Sequence, residues 1–311
     1  MITPPAFASI PEQVARLGDT GFWWPYIAEI LGRHDMLGAA REPVAGHNPT
    51  YPTFILGNVV VKLFGNTRMW HASHAAERAA LHLVASDPRI AAPRLVAAGQ
   101  LFPDADTAWP YLVTARAAGV AAWRAGLAAE QRLSLAAALG TQVRLVHALR
   151  PSTDVPRTAE PAANAAAAAA HSSLPPHLIA QIDGYLARLG AFDRVFVHGD
   201  LVASHVFVEN GRLSGIIDWG DATVTDPHYE LIQLYRDMFG CDKALFRAFL
   251  AASDWPVGKD FPQRTLGLAL HRQAVGFAQH HTMDVFESIA ALLPLEDFGT
   301  LDELATELFA V

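Results

Sequence analysis

Residues 198–219, HGDLVASHVFVENGRLSGIIDW, carry two histidines and two aspartates at spacings that suit chemistry. Residues 195–197 read as a short β-rich run that delivers His198, Gly199 and Asp200 to a loop. Residues 205–208 and 213–219 then read as two strands joined through Glu209, Asn210, Gly211 and Arg212, with Asn-Gly as a strong hairpin signal. Folding that hairpin sets His205 across from Asp218, with Asp200 on the loop that enters it. Three side chains able to take a proton or bind a cation thus meet at one end of a small sheet. One exposed aspartate on a hairpin needs no function. Three such groups at the open end of apolar strands fit a core poorly, because buried carboxylates need partners.

The elements that must position these residues fall into two groups. Residues 8–34 read as helical, with Phe22, Trp23, Trp24, Ile27 and Ile30 as apolar contacts. Residues 53–56 and 59–64 form a hairpin signal across Gly57-Asn58. Residues 71–86 are alanine- and leucine-rich and favour a helix, and residues 109–115 read as a short buried strand. Beyond about Gly119 the chain reads as mainly helical, apart from the hairpin above. The expectation is an α+β, two-lobed fold, with a small β-rich N-lobe over 1–115 and a larger helical C-lobe over 116–311. The low-complexity stretch 158–173, TAEPAANAAAAAAHSS, reads as a short helix or a mobile insert without chemistry.

Composition narrows the function. A chain of 311 residues holds one large domain or two modest ones. No apolar run approaches the roughly 20 residues that span a bilayer, and the first residues lack the basic start of a signal peptide. A single cysteine, Cys241, excludes an internal disulfide framework and fits a reducing cytoplasm; with no basic neighbour it reads as inert. A formal charge of −8 argues against a nucleic-acid partner. From Asp226 to Val311 there are 13 acidic residues and six basic ones. That excess fits either a solvated helical surface or a pocket for a cationic substrate.

The spacing around Asp200 resembles that of protein-kinase-like enzymes. These carry H-x-D, then Asn five residues past the Asp, then a metal-binding Asp thirteen residues further on. Over most of its length the chain is similar to the aminoglycoside phosphotransferase family of bacterial small-molecule kinases. The shared features are FWWP, VVVKLFG around Lys62, AAPRLVAAGQL (91–101), WPYLVTARAAG (109–119), LGTQVRLVHAL (139–149), FVHGDL (196–201) and DPHYELIQLY (226–235), in that order. The resemblance implies a kinase-like fold, ATP or GTP as phosphoryl donor, and Mg²⁺, with Mn²⁺ as the alternative ion. It implies Asp200 as the aspartate that orients the acceptor hydroxyl, with His198 beside it in the catalytic loop, more a packing group than a proton carrier. It implies Asp218 and His205 as metal ligands, Lys62 on the α/β-phosphates and Glu77 as the partner that fixes Lys62. Asn48 and Thr50 would touch phosphate, and Thr114 and Ala115 would touch the nucleotide. The acceptor it implies is a small antibiotic of the hygromycin type, the consequence resistance, and the assembly a monomer or homodimer away from membranes.

Departures from the protein-kinase pattern narrow the acceptor further. Gly199 stands where regulated protein kinases carry an arginine that grips a phosphorylated loop, and only seven residues separate Asp218 from Asp226. Both features favour a small-molecule kinase that needs no activating phosphorylation. His205 stands where Asn is usual, and an imidazole is a softer ligand than an amide oxygen. Macrolide phosphotransferases are similar in carrying His there. Three readings follow: an active enzyme with altered metal preference, a macrolide kinase, or a nucleotide-binding pseudokinase. For a polycationic acceptor, Glu230, Asp237 and Asp284 are the candidate docking carboxylates. Trp219 and Tyr235 are candidate sugar contacts, although each is more often core, and His280 and His281 read as boundary residues.

Overall fold

The computed structural model describes residues 2–39, 42–67, 69–102, 106, 108–151, 154–157, 164–280 and 283–311. The helical span expected over 8–34 is two helices, α1 (Ile10–Ala15) and α2 (Thr20–Arg33). Asp19 causes the break, because its carboxylate accepts the Phe22 N–H at 2.9 Å and starts a new helix. There follow β1 (Val44–Ala45), β2 (Thr53–Leu56), β3 (Val59–Leu63), α3 (Trp70–Val84), β4 (Leu95–Gln100) and β5 (Pro110–Ala115). The strands make one antiparallel sheet in the order β1-β2-β3-β5-β4. Phe54, Leu56, Val61, Leu63, Tyr111 and Val113 bury one face of it against Trp23, Ile27, Ile30 and Leu31 of α2. Strand alternation sends Lys62, between Val61 and Leu63, to the opposite face.

The rest of the chain comprises β6 (Val120–Ala121), α4 (Ala129–His147), α5 (Ala165–Ala169), α6 (Pro176–Ile179), α7 (Ile182–Leu186), β7 (Val195–Val197), β8 (Val206–Glu209), β9 (Arg212–Ile216), β10 (Thr223–Thr225), α8 (Leu231–Gln233), α9 (Lys243–Ala252), α10 (Phe261–His280), α11 (Glu287–Ala290) and α12 (Leu301–Phe309). Strand β7 pairs with β10, and β8 lies between β6 and β9. The β8–β9 turn places Asn210 at φ 51° and Gly211 at φ 75°, the two left-handed residues a type I′ hairpin requires. Strand β9 stops at Ile216, short of the expected Trp219, because Asp218 turns left-handed (φ 63°) and residues Trp219–Asp221 form a 3₁₀ turn. In the alanine-rich stretch α5 is helical; residues 158–163 lie outside the described part.

A large apolar core runs without a break from Phe64, Leu81 and Leu112 through Trp219 and Phe246 to Phe309. The loop after α3 is stitched into the later half. Ala91 N–H donates to Gln142 Oε1 at 2.7 Å, and Ile216 N–H donates to the Ala91 carbonyl at 2.6 Å. Among the described residues no helix is long and apolar enough to cross a membrane.

Candidate active site

Strand β3, helix α3 and the turn that follows the β8–β9 hairpin bring three charges together. Lys62 Nζ donates to Glu77 Oε2 at 2.7 Å and to Asp218 Oδ1 at 2.8 Å. Burial opposes the Lys62 charge, but the two carboxylates outweigh it and hold the ammonium well above its ordinary range. Burial likewise opposes ionisation of Asp218, yet Lys62 and His205 hold its carboxyl well below the usual carboxylate range. Burial pushes the Glu77 carboxyl up, against the pull of Lys62. Asp218 is held in the left-handed region, a conformation that a non-glycine residue keeps only where its surroundings enforce it.

The loop that carries His198, Gly199 and Asp200 runs between β7 and β8. Gly199 has φ +85°, and a Cβ there would run into the Asp221 carbonyl, so glycine is required twice over. The Asp200 carbonyl lies 2.9 Å from His205 Nδ1, which fixes the proton on Nδ1 and leaves the Nε2 lone pair free. Nε2 lies 3.5 Å from Asp218 Oδ2. The carboxylate oxygen suits Mg²⁺, which takes most of its remaining ligands from phosphates and water, whereas the imidazole nitrogen is a softer donor than Mg²⁺ prefers. A second group holding the imidazole's other nitrogen is the usual way a ligating histidine is oriented. Among the described residues no cluster of three or more metal-ligating side chains forms, so phosphate oxygens and water would have to complete the shell.

Two expected site residues prove to be scaffold. His198 is 1% exposed, packs on Trp219, accepts the Asp200 N–H at 3.2 Å on Nδ1 and donates Nε2–H to the Ile217 carbonyl at 3.0 Å. Both ring nitrogens are occupied and burial lowers the imidazole pKa, so it is a buried brace that moves no substrate proton. Glu230 is also 1% exposed. Its Oε1 accepts the N–H groups of His198 (2.7 Å) and Gly199 (3.1 Å), and its Oε2 lies 2.9 Å from His147 Nε2. It anchors the loop from below and cannot dock an acceptor. Asp284 accepts from Ser173 and the Phe286 N–H and lies off the cavity. Asp237 accepts the Ala203 N–H at 2.8 Å and does line the cavity.

That cavity has a volume of about 1450 Å³, and Lys62, Asp200, His205 and Asp218 all open onto it. Single-ligand pockets run to about 1,000 Å³, so this one has room for a nucleotide and a second molecule. Asn48, Thr50, Thr114 and Ala115 line it, as do Trp123 and Arg124. Trp219 and Tyr235 are core, and burial pushes the half-buried Cys241 thiol up. His281 lies outside the described residues.

Sequence reasoning missed Gln233, Arg272 and Asp221. Gln233 Nε2 donates to Asp200 Oδ1 at 2.9 Å, Arg272 donates to the same oxygen at 3.3 Å, and Asp221 lines the cavity. One signal was present. His271, Arg272 and Gln273 follow the apolar run 266–270, and all three prove buried, where polar groups must have partners.

A profile of the phosphotransferase enzyme family matches residues 53–261. In sequence, an uncharacterised protein YcbJ of Bacillus subtilis (strain 168) is 42% identical over 45 residues, 14% of each chain. Three solved structures are similar in fold. A mutant of aminoglycoside 2′-phosphotransferase-IIIa in its GDP complex has TM-score 0.66 and 18% identity, covering 88% of this chain and 97% of that one. The phosphotransferase APH(3″)-Id from Streptomyces rimosus, in complex with ADP and streptomycin, has TM-score 0.57 and 19% identity over 81% and 98%. The apoenzyme of macrolide 2′-phosphotransferase MphH from Brachybacterium faecium has TM-score 0.54 and 19% identity over 91% and 97%. At these identities the likeness establishes the fold, a kinase-like α+β arrangement.

Proposed function

Because the chain belongs to the phosphotransferase enzyme family, we propose that it is a cytoplasmic small-molecule kinase. It transfers the γ-phosphoryl group of ATP or GTP to a hydroxyl of an aminoglycoside-type antibiotic, one of hygromycin type, and so confers resistance. The observation that carries this reading is the presence of Lys62, Asp218 and Asp200 around one cavity large enough for two ligands. Residues 1–115 carry the nucleotide side of the site, and residues 116–311 carry the catalytic loop and the acceptor side.

In this mechanism Lys62, braced by Glu77, binds the α/β-phosphates, with Asn48 and Thr50 beside it and Thr114 and Ala115 at the nucleotide. Asp218 and His205 would hold Mg²⁺, or Mn²⁺, whose charge would offset that of the nucleotide phosphates. Asp200 accepts the hydrogen bond of the acceptor hydroxyl, aligns its oxygen with the γ-phosphorus and takes the proton late, because the transition state is loose. The intact Lys62–Glu77–Asp218 contact supports a working kinase over a pseudokinase.

A macrolide acceptor is the second reading. Helix α10 turns Arg272, Val275, Gly276 and Gln279 toward the cavity, a wall with no carboxylate on it. Glu230 and Asp284 are not available to a polycation. The test is a screen of the purified protein with ATP and with GTP against hygromycin B, kanamycin, streptomycin and erythromycin, read by product mass. A mass increase of one phosphoryl group identifies the acceptor. Tight nucleotide binding with no product from any of them would overturn the kinase reading.

A further inference from the structure

Asp200 is gripped from beyond the stretch that the family profile matches, which ends at residue 261. Arg272 of α10 has a side chain 5% exposed, yet it lines the cavity. Its guanidinium donates to the Gly199 carbonyl and, through Nη2, to Asp200 Oδ1 at 3.3 Å, and it lies over the Tyr229 ring with Cζ 4.9 Å from the centroid. A second donor reaches the same oxygen. Gln233 Nε2 stands 2.9 Å from Asp200 Oδ1, while Gln233 Oε1 accepts from Arg236 Nη2 at 2.8 Å. An arginine can only donate, so the Arg236 contact dictates which end of the Gln233 amide faces Asp200. Asp200 Oδ1 therefore meets two donors. The other oxygen, Oδ2, is 3.4 Å from His205 Nδ1, whose proton is directed to the Asp200 carbonyl.

We propose that Arg272 is a positioning residue for phosphoryl transfer: with Gln233 it saturates Oδ1 of Asp200 and leaves Oδ2 as the oxygen that receives the acceptor proton. This rests on the kinase reading above. As the acceptor oxygen bonds to the γ-phosphorus, the bond from that phosphorus to the β,γ-bridging oxygen breaks. Its electron pair leaves with the nucleoside diphosphate, and the hydroxyl proton passes to Oδ2. A carboxylate free to rotate would divide its time between oxygens and orientations. One clamped on Oδ1 presents a single geometry, and alignment of this kind acts on turnover rather than on binding.

The test compares wild type with Arg272→Ala, Arg272→Lys and Gln233→Ala, using ATP and GTP with water, kanamycin and erythromycin as acceptors. For Arg272→Ala, kcat should fall by about ten- to a hundred-fold, while nucleotide Kd and acceptor KM stay within about three-fold. Added guanidinium ion should restore part of that kcat, because the emptied site opens on the cavity, and should do nothing for Gln233→Ala. Arg272→Lys, which keeps the charge but cannot serve Gly199 and Asp200 in one plane, should lie in between. Unchanged kcat in Arg272→Ala would overturn the proposal. So would a loss that guanidinium does not relieve and that nucleotide Kd follows in step. If wild type turns over nothing, even water, the kinase reading fails, and the clamp is read from unfolding instead. Arg272→Met, Asp200→Asn and their double variant should then be coupled by about ten-fold or more in the unfolding equilibrium constant. Independent effects would overturn the clamp as well.

Discussion

Glu230→Ala should destabilise the protein by an amount that can be built from its contacts. The carboxylate receives two buried backbone N–H groups, from His198 and Gly199, and faces His147. Removing it strands both donors at about 1–3 kcal/mol each, so the loss should be roughly 2–6 kcal/mol. Glu230→Gln keeps an oxygen for the two N–H groups and should lose about 1–2 kcal/mol. The pH dependence has a definite sign. Burial opposes the charge, but His147 outweighs it and lowers the folded-state pKa of Glu230. The stability this group contributes is therefore present above the ordinary glutamate value and is lost as pH falls through the folded one. Urea titrations from neutral pH downward should show an acid-side component that Glu230→Gln lacks. A Glu230→Ala protein as stable as wild type, with a raised and salt-sensitive acceptor KM, would refute this account and restore Glu230 as a docking carboxylate.

Asp200→Asn should lower kcat by about 10²–10⁴-fold with nucleotide Kd nearly unchanged, as measured by product formation and calorimetry. Gly199→Ala forces a side chain into a left-handed position against the Asp221 carbonyl; it should cost about 1–3 kcal/mol in urea melts and lower kcat as well. Burial pushes the His271 imidazole down to about 4. The unfolded chain, with its ordinary pKa of about 6.5, binds the extra proton first, so stability should fall between those values by on the order of 3 kcal/mol; His271→Gln should flatten that fall. If kanamycin docks against Asp221 and Asp237, its KM should rise with ionic strength, and erythromycin should respond less; a salt-independent kanamycin KM would remove those carboxylates from the acceptor site.

Strands β2, β3 and β5, helix α3 and the β8–β9 hairpin were legible because local rules fix them: short β-rich runs, alanine-rich helix propensity and turn signals; β1 and β4 were not foreseen. The pairing of Lys62 with Glu77 was legible only through the family resemblance, and the contact of Lys62 with Asp218 was not foreseen. What escaped depends on contacts distant in sequence. Nothing in the charge count over 226–311 separates Glu230, sealed under a loop, from Asp237, which opens on the cavity. Residue type alone likewise gives Arg272 no address, since a guanidinium beside an apolar run announces a partner without naming it. The helix break at residues 16–19 was missed because a capping aspartate and a solvent-facing one look the same until the chain turns.

The unbroken apolar core bears on how this protein can come apart. Helix α3 precedes the sheet's last two strands in sequence, yet Leu81 belongs to the same cluster as Trp219, and the loop after α3 is hydrogen-bonded to Gln142 and Ile216. A fragment ending near Ala115 would expose Phe64, Leu81 and Leu112 together, a contiguous sticky patch of the kind that drives aggregation. The shared core predicts that the two halves unfold together in one transition, and that during synthesis the first exposes this surface until the second emerges from the ribosome.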